Sequence, residues 1–369
     1  MKFSCTQENL ISGLNLVSHV AGRSASLPIL SNILLRTTKS GLELVATNLE
    51  VAVITTVRGK VEADGAITVQ GRLIADVVGL FPHERVDVSL EGTTLTLVCG
   101  KQRTTMHGMT VDEFPVIPEV EQGSSTVLVA TDLEATLSQV VFAVNAEESR
   151  PEISGVYFEQ SSRGVVVVGT DSYRLAERIV ETTTQTTDRR MIVPLRTVQE
   201  VARVAGASKD VGEVEVISND TQVVWKFGET KVVSRLVAGQ YPDYQQLIPK
   251  EFSTSATIQR DDLIRAVRAA GLFVRAGVND VRLVIDPQSS LLRVASANSQ
   301  LGENQTEVNI TKATGELVEI TFNYRYLLEG LQAMRESEVS IELVNDKRPG
   351  VFKPVGNQSY LYIIMPIRQ

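Results

Sequence analysis

Apolar residues spaced i, i+4 and i+7 open three stretches of the chain: Leu10, Leu14 and Val17; Leu133, Leu137 and Val140; Leu263, Val267 and Ala270. That spacing predicts an amphipathic helix with one buried stripe. Roughly 62 residues after each leading Leu comes a second helix start with an Arg in register. These are Arg72 in VQGRLIADVV, Arg196 in VPLRTVQEVA and Arg325 in FNYRYLLEGL. Two linked features that recur three times at near-constant spacing identify three copies of one unit. Each copy is about 120 residues, an ordinary domain size.

Strand signals lie between the paired helices. Ile33–Leu35, Val156–Phe158 and Leu283–Ile285 follow the first helix of each copy. Leu42–Ala46, Val165–Val168 and Leu291–Ala295 come next, after turn signals at Gly41, Gly164 and Pro287–Ser290. The run Val165–Val168 does not alternate, which predicts a strand covered on both faces. Val86–Leu97, Val214–Phe227 and Val339–Val344 follow the second helix. Each copy therefore reads β-α-β-β-β twice. That is an α+β fold with two helices packed on antiparallel sheet.

Pro118–Ser125 and Pro249–Ser255 are short, polar and proline-led, and are the expected linkers. They set domains at 1–122, 126–249 and 255–369. Short linkers predict a rigid arc of three domains. Two arcs that meet head to tail satisfy both unlike ends and close a C2 ring of six domains.

Composition narrows the chemistry. The apolar fraction of 43% is ample for buried cores, and 5% aromatic residues make those cores aliphatic. No run approaches the roughly 18–20 apolar residues of a membrane span, and no signal peptide is visible, so a soluble cytoplasmic protein without membrane partners is expected. Cys5 and Cys99 have no CxxC or Cys/His company, which predicts reduced buried thiols and no zinc. The net charge of −8 weighs against tight nucleic-acid binding unless cations gather on one face. Candidates for that face are Arg72, Arg196 and Arg325, with Arg23, Arg150, Arg203, Arg265 and Arg268 nearby. A ring with a basic lining would hold a polyanion by charge without reading its sequence.

Catalytic readings have little support. Asp112-Glu113, Asp171, Asp243 and Asp261-Asp262 suit a metal-dependent nuclease by residue type only, and Asp261-Asp262 sits where acids favour a helix start. His19, His83 and His107 show no metal spacing. The chain has no GxSxG, no Walker motif and no GxGxxG. A non-enzyme without cofactor or metal is expected. The competing reading is a ring or arc-shaped scaffold that binds only proteins and does not encircle DNA; the salt dependence of DNA association separates the two.

Four segments carry a family resemblance in order along the whole chain: Leu27-Pro28-Ile29-Leu30; Gly169-Thr170-Asp171-Ser172-Tyr173-Arg174-Leu175-Ala176; Tyr241-Pro242-Asp243-Tyr244; and Tyr362-Ile363-Ile364-Met365-Pro366-Ile367-Arg368. They resemble the bacterial DNA polymerase III beta subunit, the sliding-clamp family. The resemblance implies a head-to-tail homodimeric ring that encircles double-stranded DNA and performs no chemistry. It implies short partner peptides, from the replicative polymerase alpha subunit, the clamp loader and its delta subunit, and other polymerases and repair proteins. These would dock in a groove made by Ile153, Thr170, Ser172, Tyr173, Arg174 and Leu175, by Pro242, Gln246 and Leu247, by Arg348 and Gly350, and by Ile363, Ile364, Met365, Pro366, Ile367 and Arg368. Arg174 is expected to bond a peptide carbonyl or carboxylate. The resemblance assigns DNA contact to Arg23, Arg72, Arg150, Arg196 and Arg325. It assigns the dimer junction to Arg103, Thr104 and Met106 against Leu272, Phe273 and Glu303.

Overall fold

The computed structural model describes residues 1–22, 27–118, 120, 123–130, 133–145, 150–161, 164–182, 189–274 and 277–367. The first copy runs β1 (Lys2–Thr6), α1 (Gln7–Ser18), β2 (Asn32–Thr38), β3 (Gly41–Thr47), β4 (Val51–Val57), β5 (Lys60–Ala63), β6 (Ala66–Gln70), α2 (Gly71–Gly79), β7 (Arg85–Glu91), β8 (Thr94–Cys99) and β9 (Gln102–His107). The second runs β10 (Ser124–Val129), α3 (Leu133–Val141), β11 (Gly155–Ser161), β12 (Gly164–Thr170), β13 (Arg174–Val180), β14 (Arg189–Pro194), α4 (Leu195–Ala207), β15 (Glu213–Ser218), β16 (Gln222–Phe227) and β17 (Thr230–Arg235). The third runs β18 (Thr254–Gln259), α5 (Arg260–Gly271), β19 (Asp280–Asp286), β20 (Leu291–Asn298), β21 (Gly302–Gly315), β22 (Val318–Asn323), α6 (Tyr324–Ala333), β23 (Glu338–Leu343), β24 (Gly350–Pro354) and β25 (Tyr360–Ile364). The expected β-α-β-β-β pattern, twice per copy, is present in all three; the first copy adds β5.

The helical stripes behave as their spacing requires. Leu10, Leu14, Val17, Leu133, Leu137, Val140, Leu263, Val267 and Ala270 are all fully buried. Thr6 caps α1 by accepting from the Asn9 amide. Gly13 lets α1 press onto β4, since a Cβ there would meet the Val57 side chain at 2.5 Å. Strand β12, read as covered on both faces, is buried along its whole length.

The chain forms two compact units, built mainly from Met1–Glu134 with Arg196–Leu236 and from Ala135–Glu181 with Val237–Gln369. The first unit holds a five-stranded sheet, β5-β1-β7-β8-β9, and an eight-stranded sheet, β10-β15-β16-β17-β4-β3-β2-β6. The second holds one twelve-stranded sheet, β14-β11-β12-β13-β25-β24-β23-β18-β21-β20-β19-β22. All ladders among the described residues are antiparallel, and two of them join different copies. β17 pairs with β4, Val232 opposite Val53, and β25 pairs with β13, Tyr362 opposite Ala176. These joints follow the same register. β4 and β13 are both the fourth strand of their copy, and β17 and β25 are both the last.

The turns that lead into β4 and β13 match bond for bond. Thr47 Oγ1 donates to the Val51 carbonyl and accepts from the Leu49 amide, while Asn48 Oδ1 accepts from the Glu50 and Val51 amides. Thr170 and Asp171 make the equivalent bonds around Ser172. Leu49 and Ser172 sit at φ 76° and 77°, a left-handed conformation that the surrounding bonds hold in place.

Candidate functional site

The Thr170–Arg174 turn pushes Tyr173 into solvent, 64% exposed. From Arg174 the strand alternates. Leu175 stands directly opposite Ile363 on β25. Both join Ile153, Tyr157, Val168, Tyr241, Tyr244 and Val351 in one apolar cluster. Tyr157 stacks on Tyr241 with ring centroids 4.6 Å apart, and Tyr244 stands edge-on to both. Tyr244 Oη donates to Glu177 at 2.6 Å; burial first, and that carboxylate second, push its phenol up. Tyr241 Oη is buried without a hydrogen-bond partner among the described residues.

The rim of this cluster is open. Pro242, Gln246 and Leu247 are exposed, and Gln246 is turned back onto Asp243. The Met365 amide donates to the Tyr173 carbonyl and the Ile367 amide to Thr321, which leaves Met365, Pro366 and Ile367 half-buried. Arg348 is exposed, and Gly350 is buried where β24 begins opposite Ile364. An apolar floor with an exposed rim of Tyr173, Pro242 and Leu247 and the half-buried Met365 suits a short extended segment. Thioether and proline surface also adapts to differing side chains.

Two of the expected wall residues face away. Arg174 points through the opposite side of the sheet, where its Nε bonds Asp171 at 2.9 Å and its other nitrogens bond Glu329 and the Phe142 carbonyl. Its guanidinium lies 4.4 Å from the Tyr326 ring centroid and 5.4 Å from that of Phe142. Ile364 packs on that side too, with Phe352 and Tyr362. Neighbours in a strand cannot share a face, so Leu175 and Ile363 in the groove exclude Arg174 and Ile364 from it. Arg368 lies outside the described residues. Val351, from the Arg348-Pro349-Gly350-Val351 loop expected to wall the groove, joins its floor. The aromatic floor of Tyr157, Tyr241 and Tyr244 is not assigned from sequence, although the YPDY segment carries two of its rings.

The three register arginines take one position. Arg72, Arg196 and Arg325 are each the second residue of α2, α4 and α6, and all are exposed. A cation in the first turn opposes the helix dipole and lowers helix stability. Its recurrence three times therefore serves something other than the helix. A guanidinium at a helix N-terminus concentrates positive potential, the arrangement that receives phosphate oxygens, although at α6 the Arg325 amide is itself capped by Asn323. Arg72 and Arg196 make no ion pair among the described residues, and Arg325 lies 5.9 Å from the Tyr324 ring centroid. Arg150 is engaged by Ser172 Oγ at 3.0 Å and by Glu152 at 3.4 Å. Arg203 is held by Glu200 and by the carbonyls of Asn15 and Leu16. Arg23 lies outside the described residues.

Several strand edges are unpaired among the described residues, those of β5, β14 and β22 included; two others matter because their counterparts in the other copies are joined. β9 pairs only with β8, and the first half of β21 pairs only with β20. β9 is the counterpart of β17 and β25, and β21 of β4 and β13, which do join. Arg103 and Thr104 lie on the first edge and Glu303 on the second. Leu272, just after α5, is 75% exposed. Its counterpart Phe142 packs on Tyr362 with ring centroids 5.5 Å apart. Phe273 is half-buried. Met106 is only 5% exposed within the chain itself and so offers little surface to another copy, because it faces the core side of its sheet. No group of three or more His, Cys, Asp or Glu suited to a metal occurs among the described residues, and no helix among them is long and apolar enough to cross a membrane.

Models of the N-terminal, central and C-terminal domains of the DNA polymerase III beta subunit match residues 1–118, 127–243 and 245–368. The chain belongs to the DNA polymerase III beta-subunit family. It is 32% identical over 376 residues to the beta sliding clamp of Synechococcus elongatus, covering 100% of this chain and 99% of that one. A sliding clamp of Pseudomonas aeruginosa bound to griselimycin superposes with a TM-score of 0.94 at 26% identity, covering 100% of both chains. The beta subunit of Thermotoga maritima gives 0.93 at 26% identity, covering 100% of this chain and 99% of that one. Membership makes the chain a sliding clamp, a non-catalytic processivity subunit of DNA replication. The β4·β17 joint brings together strands from the first and second family matches, and the β13·β25 joint strands from the second and third.

Proposed function

We propose that two copies close head to tail, β9 of each onto β21 of the other, into a six-domain ring around duplex DNA. The observation that supports this best is the pair of unpaired edges, whose counterparts already join twice within one chain. A heterologous pair of ends that closes after two copies gives a ring rather than a fibre. Domains bounded at 1–122, 126–249 and 255–369 belong to this reading. Arg72, Arg196 and Arg325 contact phosphates by charge alone, which suits a protein that must slide. The groove over Leu175 and Ile363 tethers the replicative polymerase alpha subunit, the clamp loader through its delta subunit, and other replication and repair proteins through short peptides. The work is done in the cytoplasm, where the chromosome is copied.

The test is mass and topology together. Light scattering at micromolar concentration should give twice the chain mass. Clamps loaded on nicked circular DNA should stay bound through gel filtration and be lost once the circle is linearised. Equal loss from circle and line would overturn encirclement and leave a protein-binding scaffold.

A further inference from the structure

The joint between β4 and β17 carries a second apolar recess, in the first unit, which matches the groove at β13 and β25 position for position. Ala52 faces Val233 where Leu175 faces Ile363. Leu34 and Val45 stand in the places of Tyr157 and Val168, and Phe114 covers them as Tyr241 covers those. Two of the three floor rings give way to smaller aliphatic residues, Leu34 for Tyr157 and Ile117 for Tyr244, and a cavity of about 790 Å³ remains between the strands and the 111–118 segment. A smaller cavity of about 90 Å³ runs on towards the Thr47–Val51 turn and shares Val233 and Pro115 with the first. Val116 stands at the mouth, 91% exposed.

The rim has the opposite charge to that of the groove. Where the groove has Glu159 and Glu177, the recess has Arg36 and Ile54, and Lys231 stands opposite Ile54. Lys226 and Lys231 are direct cross-strand neighbours, and both line the cavity. Like charges set face to face lower the stability of a sheet. Glu215 neutralises Lys226 at 3.0 Å, and Glu43 neutralises Arg36. Lys231 is exposed and has no anionic partner among the described residues. The arrangement is therefore short of one negative charge beside an apolar cavity of ligand-binding size.

We infer that this recess is a second docking site, for a partner segment that inserts an apolar side chain and sets carboxylates against Lys231 and Lys226. The inference stands on the cavity and its rim, whether or not the other groove receives peptides.

The probe is a labelled acidic peptide, acetyl-EELFLEE-amide, titrated against the full chain by fluorescence anisotropy, with acetyl-KKLFLKK-amide as control. Saturable binding of the acidic peptide at least about tenfold tighter than the control is expected, a difference of one decade in Kd. Lys231→Glu should weaken it about tenfold or more. That variant places Glu opposite Lys226 and should not unfold the sheet; an unchanged or higher melting temperature checks this. Tyr173→Ala, on the rim of the other groove, should leave the affinity unchanged. Absence of saturable binding, equal binding by Lys231→Glu, or loss of binding through Tyr173→Ala alone would each overturn the second site.

Discussion

The guanidinium of Arg174 lies 4.4 Å from the ring centroid of Tyr326, across the sheet from the groove that its neighbour Leu175 lines. The pairing fixes what Arg174 does. It is nine-tenths buried, bonded to Asp171 and Glu329, and clamped between two rings. It holds α6 against the turn that displays Tyr173.

Arg174→Ala should therefore act on stability. Removing it leaves the Asp171 carboxylate, 9% exposed, without its counter-ion. Breaking one side of such a pair costs about 3–5 kcal/mol when it is fully buried, and the half-exposed Glu329 places the expectation at the lower end. Urea unfolding of the second unit, followed by Tyr fluorescence or hydrogen exchange, checks it. An unchanged midpoint with lost peptide affinity would mean that Arg174 contacts the peptide after all.

The rim of the groove gives the complementary prediction. Tyr173 and Leu247 are 64% and 48% exposed, so truncating them leaves no cavity. Tyr173→Ala and Leu247→Ser should each weaken a polymerase-derived peptide by about 1–2 kcal/mol, roughly 5- to 30-fold, and hardly move the melting temperature. Calorimetric titration beside a thermal melt checks both. If a rim variant keeps full affinity, the peptide lies elsewhere.

These two predictions show what was legible in the sequence. The i, i+4, i+7 stripes and the register arginines report local geometry, and all of them stand where the spacing requires. The groove floor was legible as far as Ile153, Leu175 and Ile363, which belong to local segments of the chain. The orientation of Arg174 was not, because the groups that claim its charge, Glu329 and Tyr326, come from a helix about 150 residues further on. The joint strands were hidden for a similar reason. Nothing local in β25 says that its partner is β13 rather than a strand of its own copy. A cue did exist in the matching Thr-Asn and Thr-Asp turns at Thr47 and Thr170, which mark β4 and β13 as the same strand in two copies.

The helix-end arginines allow a prediction with opposite signs. Arg72→Glu with Arg196→Glu replaces a cation that opposes the helix dipole by an anion that suits it. Stability should rise by about 0.3–1 kcal/mol per site. Retention on circular DNA should fall, and the slope of log K against log salt should flatten by about 0.9 per lost phosphate contact. A more stable clamp that leaves DNA faster separates charge contact from folding. Unchanged retention would remove these residues from the DNA-facing set.

Alkaline unfolding should be steeper than exposure alone predicts. Burial first, then Asp87, push the Cys5 thiol from 9.0 up to about 12. Burial first, then Glu159, push the Tyr157 phenol from 10.0 up to about 12. Both groups bind their protons more tightly folded than unfolded, so stability falls as pH rises wherever the unfolded chain has already lost them. Their contribution is complete below about pH 9 and is lost progressively up to about pH 12. Urea midpoints taken from pH 8 to 11 should decline. Cys5→Ala should flatten the first part of that decline, and Cys5 should resist iodoacetamide at pH 8 until the chain is unfolded, since the thiolate is the reactive form. Rapid alkylation of Cys5 in the folded chain would contradict its burial.

Leu272 supplies the sharpest test of the ring. It is 75% exposed at the position where Phe142, in the preceding copy, packs on Tyr362. Its counterpart is covered by a strand from the next copy, so the ring requires the same cover for Leu272 from a second chain. Leu272→Glu would bring a carboxylate into that contact. Burying an unpaired charge costs several kcal/mol, so the dimer should weaken by at least about a hundredfold. The single chain, in which residue 272 is exposed, should keep its fold and its peptide affinity. Light scattering over a dilution series reads the first effect, and calorimetric titration the second. A Leu272→Glu chain that remains dimeric at nanomolar concentration would place the junction on some surface other than the β9 and β21 edges.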